Sequence, residues 1–568
     1  MRPRKLFRSL RDMKAILMSV TTPLILLPIL YTVEGQPGRC AYAVSILVTF
    51  WVLEVLPFPV TSMLPAVLFP LLSVLTTRQV CAEYIKDPSI TIIGIFGLVA
   101  AIERWGLHRR VALGMLKLIG TKPHWLILGM LVCTSLLSMF ITAGVTALMS
   151  PIVKSIMDKL KNVTLENDYE IEDREQDDRS EDEESDIEYV GGSENANKQY
   201  IDEIERLHKA LSLCIGYGAI LGSVITLTGG PSNFVAVGLI QEFYRAYGLQ
   251  SKLTFVSWLV FAGPIGVIVI FLTWIWFVIL FLKGKGLFRR RTVTGKMVGA
   301  ERRVQEHLQQ EYSRLGPWSY PEVMTLAFLL LLVVLFLTED LYFIPGWNSV
   351  FEEGFVGSSV TPSLLMVLLF IIPAKSPTKL LCGSSEGKKN SKFSPIINWT
   401  DVTNTLPLGV VLILGASFAM VKACQESGLT PLIGEHFKGF VTLEPWVLTL
   451  VVTSLTTFLA EFISNSAAIT MLLPIVGQMA ILANLDPLAL LFPLTIAAKC
   501  AFMMPIATPP NTIAYSLGAL TIKDMATAGF ALNILTLLTL NVAAHSWGQA
   551  YFQWDVIPDE MRRNVSTI

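Results

Sequence analysis

Phe140–Val153 reads FITAGVTALMSPIV, and Phe462–Val476 reads FISNSAAITMLLPIV. Both open on Phe-Ile and a hydroxyl residue, pass through small residues and close on Pro-Ile-Val. The first copy is one residue shorter, and it has Thr142-Ala143-Gly144 where the second has Ser464-Asn465-Ser466. The likeness extends to the neighbouring sequence. TGGPSNFVAVG (Thr228–Gly238) follows the first copy and ATPPNTIAYSLG (Ala507–Gly518) the second, so that Gly229-Gly230-Pro231-Ser232-Asn233 aligns with Ala507-Thr508-Pro509-Pro510-Asn511. Upstream, GLVAAIERWGL (97–107) echoes ASFAMVKACQESGL (416–429). Each half therefore reads as a span, a hairpin and a span broken by glycine or proline. Paired interruptions of this kind point to a binding site where two membrane repeats meet.

Composition makes these membrane segments. The chain is 52% hydrophobic and 16% charged, with a mean hydropathy of +0.56, outside the range of soluble globular chains. Apolar runs such as Ala15–Thr32, Phe255–Leu282 and Val323–Leu337 recur from end to end. In lipid each backbone polar group needs an internal partner, so these runs must be helices. The fold class that follows is an all-α polytopic membrane protein. The basic opening MRPRKLFRSLRDMK precedes an apolar run with no Ala-x-Ala-like site before Gly35, which reads as a retained first span rather than a cleaved signal.

Several function classes are excluded. Seven dispersed cysteines form neither a disulfide framework nor a metal spacing. The six histidines are isolated from one another and from paired acids, so no zinc, haem or nucleophile–base constellation emerges and no enzyme is expected. A net charge of −1 gives no sign of a nucleic-acid partner. Glu54 and Glu103 lie near span ends and read as interfacial or scaffold residues.

Basic clusters before the first span, at KGKGLFRRR (283–291) and at KKNSK (388–392) belong on the cytoplasmic side. The stretch Glu166–Glu188 carries fourteen carboxylates and reads as part of a disordered acidic cytosolic loop over 161–205. About eleven transmembrane helices satisfy these anchors, starting near residues 15, 41, 59, 89, 209, 255, 319, 359, 405, 485 and 525, with re-entrant hairpins at 123–158 and 443–480. The N-terminus is then cytoplasmic and the C-terminus extracellular. Of three glycosylation sequons, Asn162 and Asn398 should stay bare, and Asn564 is the candidate for glycan.

The chemistry of such interruptions is direct. A proline has no backbone N–H and leaves an earlier carbonyl unpaired. Carbonyls and hydroxyls freed in this way form a hard-oxygen cage that suits a small cation. Half-helix N-termini present N–H groups and partial positive charge to an anion. Asparagine at a tip serves both, with one acceptor oxygen and two donor hydrogens.

The paired hairpin motifs, ATPPN (507–511), VTSMLPAVLFPLL (60–72), ERWGLHRR (103–110) and EYSRLGPWSYPE (311–322) resemble those of the divalent anion–sodium symporters. The resemblance is strongest to the animal sodium-coupled di- and tricarboxylate cotransporters, with the sulfate cotransporters next, and it covers nearly the whole chain. It implies inverted repeats, a homodimer in the lipid bilayer, and elevator-type scaffold and transport domains. Residues 1–88 would be N-terminal scaffold, 89–250 first-repeat transport elements, 251–318 a scaffold helix and cytosolic basic linker, 319–403 second-repeat scaffold, 404–524 second-repeat transport elements, and 525–568 the last helix and extracellular tail. No cofactor is implied; sodium ions would be the coupling ions and a small divalent anion the substrate.

Residue by residue, the resemblance implies a first sodium site at Ser138, Thr142, Gly229 and Asn233, and a second at Ser464, Asn465, Ala507 and Asn511. The anion would lie against Thr142, Gly144, Gly230, Pro231, Asn465, Ser466, Thr508 and Pro509. Two departures stand out: Ala460 lacks the hydroxyl the family places there, and the first tip lacks an asparagine. Lys499 is a further one, a lysine in the span leading to ATPPN. It reads as a tethered cation replacing a lost sodium, as a structural partner of Glu461, or as a snorkelling side chain. Nine residues separate it from Thr508, about 13 Å along a helix, farther than a lysine stem extends.

Three functions follow: sodium-driven uptake of a divalent organic anion such as succinate or citrate at the plasma membrane, sodium–sulfate cotransport, or a degenerate homologue that senses or binds partners without transporting. Thr508 favours the carboxylate branch, whereas IPAKSP (372–377) and the SYPE segment lie closer to the sulfate branch.

Overall fold

A computed structural model of the chain describes residues 16–119, 122–140, 144–177, 186–283, 295–339, 346–352, 355–376, 394–429, 432 and 443–565, with the backbone alone for 118–119, 161–177, 186–200, 295–301 and 563–565. Every regular element among the described residues is helical, and one isolated bridge pairs Pro373 with Pro395. Among the described residues, seven helices are long and apolar enough to cross a membrane: Thr77–Arg104, Ile201–Ile225, Phe255–Leu282, Tyr320–Glu339, Leu408–Glu426, Asn465–Leu482 and Ile522–Phe552. Shorter apolar helices, among them Ile16–Thr32, Pro123–Ser138, Pro445–Ala460 and Leu488–Lys499, fill the intervals. The chain is a polytopic, all-helical membrane protein.

Each duplicated stretch is a helix, a break and a helix. The first runs Pro123–Ser138 then Gly144–Asp177, and the second Pro445–Ala460 then Asn465–Leu482. The two interrupted spans have the same plan: Asp186–Ile225, a 3-10 turn at Leu227–Gly229, then Pro231–Arg245; and Leu488–Lys499, an irregular stretch, then Pro509–Ser516. Both second segments start on proline, where the missing N–H costs nothing because the first amides of a helix have no intrahelical partner. Their N-caps, Gly230 and Thr508, are both extended, with φ −171° and −141°.

The two halves interlock. Asp186–Ile225 packs on Pro123–Ser138 and Gly144–Asp177 of its own half and on Pro509–Ser516 of the other, while Pro231–Arg245 packs on Asn465–Leu482. The approach between Asp186–Ile225 and the first duplicated stretch is close, since a Cβ on Gly222 would lie 2.0 Å from the Ser135 carbonyl oxygen.

Two features differ from the sequence expectation. The segment 161–205, expected as a disordered loop, is helical through Asp177 and again from Asp186. Glutamate is a good helix former, and extending an existing apolar helix costs less than nucleating one. The amphipathic helices Leu107–Ile119 and Gly295–Arg314 are not among the expected spans, and they pack together. Buried Arg110 ties this region to the next helix, donating to Leu315 O (3.0 Å), Gly316 O (2.8 Å) and Glu322 Oε1 (3.2 Å). The segments 103–110 and 311–322 are thus spatial neighbours.

Candidate functional site

At each break, a fully buried asparagine stitches the chain back on itself. Asn233 Nδ2 donates to Ser223 O and Thr226 O, both at 2.9 Å, ten and seven residues upstream. Asn511 Nδ2 donates to Ala501 O (3.1 Å) and Met504 O (3.2 Å), again ten and seven residues upstream. A helix interrupted by proline frees carbonyls that would be costly to leave bare in lipid. One amide group caps two of them, and its own oxygen is left pointing away from them. The same stitch in both halves is a duplication at the level of single hydrogen bonds.

The tips are anchored differently. In the first half, Thr226 and Thr228 hydroxyls donate to Met139 O at 2.7 and 2.9 Å. Ser138 donates to Ala219 O at 2.6 Å, and Thr146 to Ile215 O at 3.3 Å. In the second half a buried carboxylate does this work. Glu461 Oε1 accepts from Phe502 N (2.9 Å), Met503 N (3.0 Å) and Asn533 Nδ2 (2.7 Å), and Oε2 from Met503 N (3.1 Å) and Met504 N (3.0 Å). Consecutive backbone amides wrapped on one carboxylate hold the irregular stretch open as a fixed loop. Tyr217 OH, from the first half, donates to Phe502 O at 2.7 Å and bolts that loop to the opposite repeat.

The residues singled out in the sequence fall as follows. Thr142 lies outside the described residues. Gly144 begins its helix, and Gly229 and Gly230 are buried in the first break with Pro231 at the following helix start. Ser464 is the N-cap of Asn465–Leu482, accepting from Ala467 N at 3.3 Å, with Asn465 and Ser466 next to it. Thr508 caps Pro509–Ser516, its hydroxyl accepting from Asn511 N at 3.4 Å, while Ala507 is buried and Pro509 exposed. Three amide oxygens, Asn465 Oδ1, Asn511 Oδ1 and Asn533 Oδ1, are buried and accept no hydrogen bond from the described residues. Uncompensated acceptors of this kind suit a cation. The side chain of Asn564 lies outside the described residues.

Lys499 is buried, 3% exposed, and it does not pair with Glu461. It turns away from its own half: Nζ donates to Ser223 O at 2.7 Å and to Asn233 Oδ1 at 2.8 Å. Its partners are thus in the first break, and not at Thr508 further along its own span. The roles of Glu461 and Tyr217 were missed as well, and their only sequence signal is a polar group inside an apolar run. A cavity of about 790 Å³ opens beside the first break, with Leu227, Thr228, Phe234, Arg245, Thr254 and Phe355 in its wall. Asn465, Thr508 and Asn511 do not line it.

Two interlocked halves, each with a broken span stitched by a buried asparagine, define a membrane protein built by internal duplication. The family model described as the sodium:sulfate symporter transmembrane region matches residues 10–554. The chain is 33% identical to the Na(+)/citrate cotransporter of Rattus norvegicus, over 96% of each chain. It is 33% identical to Na(+)/dicarboxylate cotransporter 3 of Homo sapiens, over 96% of this chain and 94% of that one. Solute carrier family 13 member 1 of Rattus norvegicus is 31% identical over 96% of both. The chain belongs to the sodium:sulfate symporter family. Among solved structures, Neisseria gonorrhoeae MtrF, titled as illuminating a class of antimetabolite efflux pumps, superposes with a TM-score of 0.50 at 9% identity, covering 92% of this chain and 97% of that one. That likeness concerns the fold alone.

Proposed function

We propose that this protein is a secondary active symporter that uses sodium to carry a divalent organic anion, a dicarboxylate such as succinate or the tricarboxylate citrate, across the plasma membrane. The observation that carries the reading is the repeated asparagine stitch with an unpartnered amide oxygen at Asn511. It is a buried oxygen site that a sodium ion fits. The helix starts at Pro231 and Pro509 offer partial positive charge to the anion, and the cap hydroxyl of Thr508, which accepts from Asn511 N, keeps its own O–H to donate. Cation and anion in one pocket offset each other's desolvation.

In this reading the duplicated stretches are re-entrant hairpins in an eleven-crossing, inverted-repeat protomer. The protomer works as half of a homodimer, its transport part moving as an elevator against a scaffold, with the N-terminus cytoplasmic and the C-terminus extracellular. The names of relatives at 33% identity, citrate and dicarboxylate cotransporters, support a carboxylate substrate. The family model's description keeps sulfate as the second reading.

The deciding experiment is uptake into liposomes reconstituted with the purified protein. Labelled succinate, citrate and sulfate are presented side by side under an inward sodium gradient and under potassium. Saturable sodium-dependent uptake of a carboxylate is the expected result. Uptake of sulfate alone selects the second reading, and uptake of none of the three refutes symport and leaves the non-transporting homologue.

A further inference from the structure

The two breaks are stitched alike, yet one atom in each has a different fate. In the first half, the oxygen pair Ser223 O and Asn233 Oδ1 receives the Lys499 ammonium at 2.7 and 2.8 Å. In the second half, the corresponding pair is Ala501 O and Asn511 Oδ1, and Asn511 Oδ1 has no partner among the described residues. The duplication therefore creates one oxygen position twice; a side chain fills the first and leaves the second open.

Three details fit the first position to Lys499. Its two acceptors are a backbone carbonyl and an amide oxygen, the neutral hard-oxygen ligands that a small cation prefers, and not the carboxylate a buried lysine ordinarily seeks. Among the described residues no acid lies within ion-pair distance of it, and the nearby candidate, Glu461, is engaged by three backbone amides and Asn533. Room for the ammonium exists because Gly230 has no side chain: a Cβ there would lie 2.8 Å from Nζ, and Thr508 stands at the corresponding place in the second half. The first tip is one residue shorter than the second and lacks its asparagine, in the half where the lysine supplies charge.

We propose that Lys499 is a built-in cation occupying the first of two pseudo-equivalent cation positions, so that only the second, at Asn511 and Ala501, takes sodium from solution. The proposal deepens the symport reading, but its test does not require transport. A merely structural lysine would change stability and leave the number of exchangeable ions as it was.

The test is anion binding by the full-length purified protein, followed as thermal stabilisation by succinate or citrate across a sodium series with choline as replacement. Below saturation, apparent anion affinity scales with sodium concentration raised to the number of coupled ions, so a tenfold rise in sodium strengthens it about tenfold for one ion and about a hundredfold for two. The unmodified protein is expected to follow the first power. Lys499→Asn, which removes the charge and adds an oxygen, is expected to follow the second, and Lys499→Arg to stay at the first. A second-power response of the unmodified protein, no sodium response at all, or an unchanged power in folded Lys499→Asn overturns the proposal. Where Lys499→Asn fails to fold, a second-power response of the unmodified protein still overturns the proposal, and Lys499→Gln supplies the neutral variant. Failed uptake in liposomes alongside first-power binding would refute the symport reading and leave this one standing.

Discussion

Glu461→Gln isolates the carboxylate that holds the second break. The substitution keeps size and shape but leaves one acceptor oxygen where there were two. Placed to retain the bonds from Phe502 N, Met503 N and Asn533 Nδ2, the new amide points its own hydrogens at Met504 N, which donates to Oε2 at 3.0 Å in the parent. A hydrogen bond to a charged acceptor contributes about 1.5–3 kcal/mol, and a buried amide left without a partner carries its desolvation penalty as well. A loss of about 3 kcal/mol follows for the ordered loop, equivalent to roughly a hundredfold in an equilibrium that needs that loop in place. The assay is sodium titration of succinate uptake in liposomes, with thermal unfolding of the same preparation. The expected result is a sodium midpoint raised ten- to a hundredfold in protein that still folds. Asn533→Ala, which removes one donor and leaves the carboxylate, should shift it far less. An unchanged sodium midpoint in Glu461→Gln would show that the carboxylate does not organise the break.

Further outcomes are expected from the same structure. Asn511→Ala strips the donors from Ala501 O and Met504 O at about 1–3 kcal/mol each, and should raise the sodium midpoint at least about tenfold; a parental midpoint counts against the stitch. Gly222→Ala puts a methyl 2.0 Å from Ser135 O, so size-exclusion profiles should show loss of folded protein, and a parental thermal midpoint would contradict the close approach. Arg110→Lys keeps the charge but loses the fork that reaches Leu315, Gly316 and Glu322. Its thermal midpoint should fall while the sodium power stays unchanged. Asn564→Gln should abolish an endoglycosidase-sensitive shift in gel mobility that changes at Asn162 and Asn398 leave intact.

The class of the protein and its duplication were legible because both rest on side chains that repeat: the Pro-Ile-Val endings, the glycine–proline interruptions, and asparagines at matching positions 233 and 511. What the asparagines bond was not legible. Their partners are backbone carbonyls ten and seven residues upstream, and a carbonyl leaves no mark in a sequence. Lys499 was misdirected for a geometric reason. Distance along its own helix measures reach to Thr508, but in an interlocked pair of repeats the other half's break is the neighbour, and Ser223 is 276 residues away in sequence and 2.7 Å away in space. Thr142 remains a sequence proposal, since the first tip lies outside the described residues.

The ammonium held between Ser223 and Asn233 also bears on how membrane voltage acts. An ion drawn from solution leaves after delivery, so the unloaded protein resets without it. A lysine is never released, and whatever fraction of the field it traverses, it traverses in both directions. If the proposed transport part moves through the field, one sodium and a dianion leave the loaded form neutral with this lysine, and a negative interior would act on the empty form alone, retarding its reset by at most about 2.3 kcal/mol per 100 mV. Turnover at saturating substrate would be governed by the empty return.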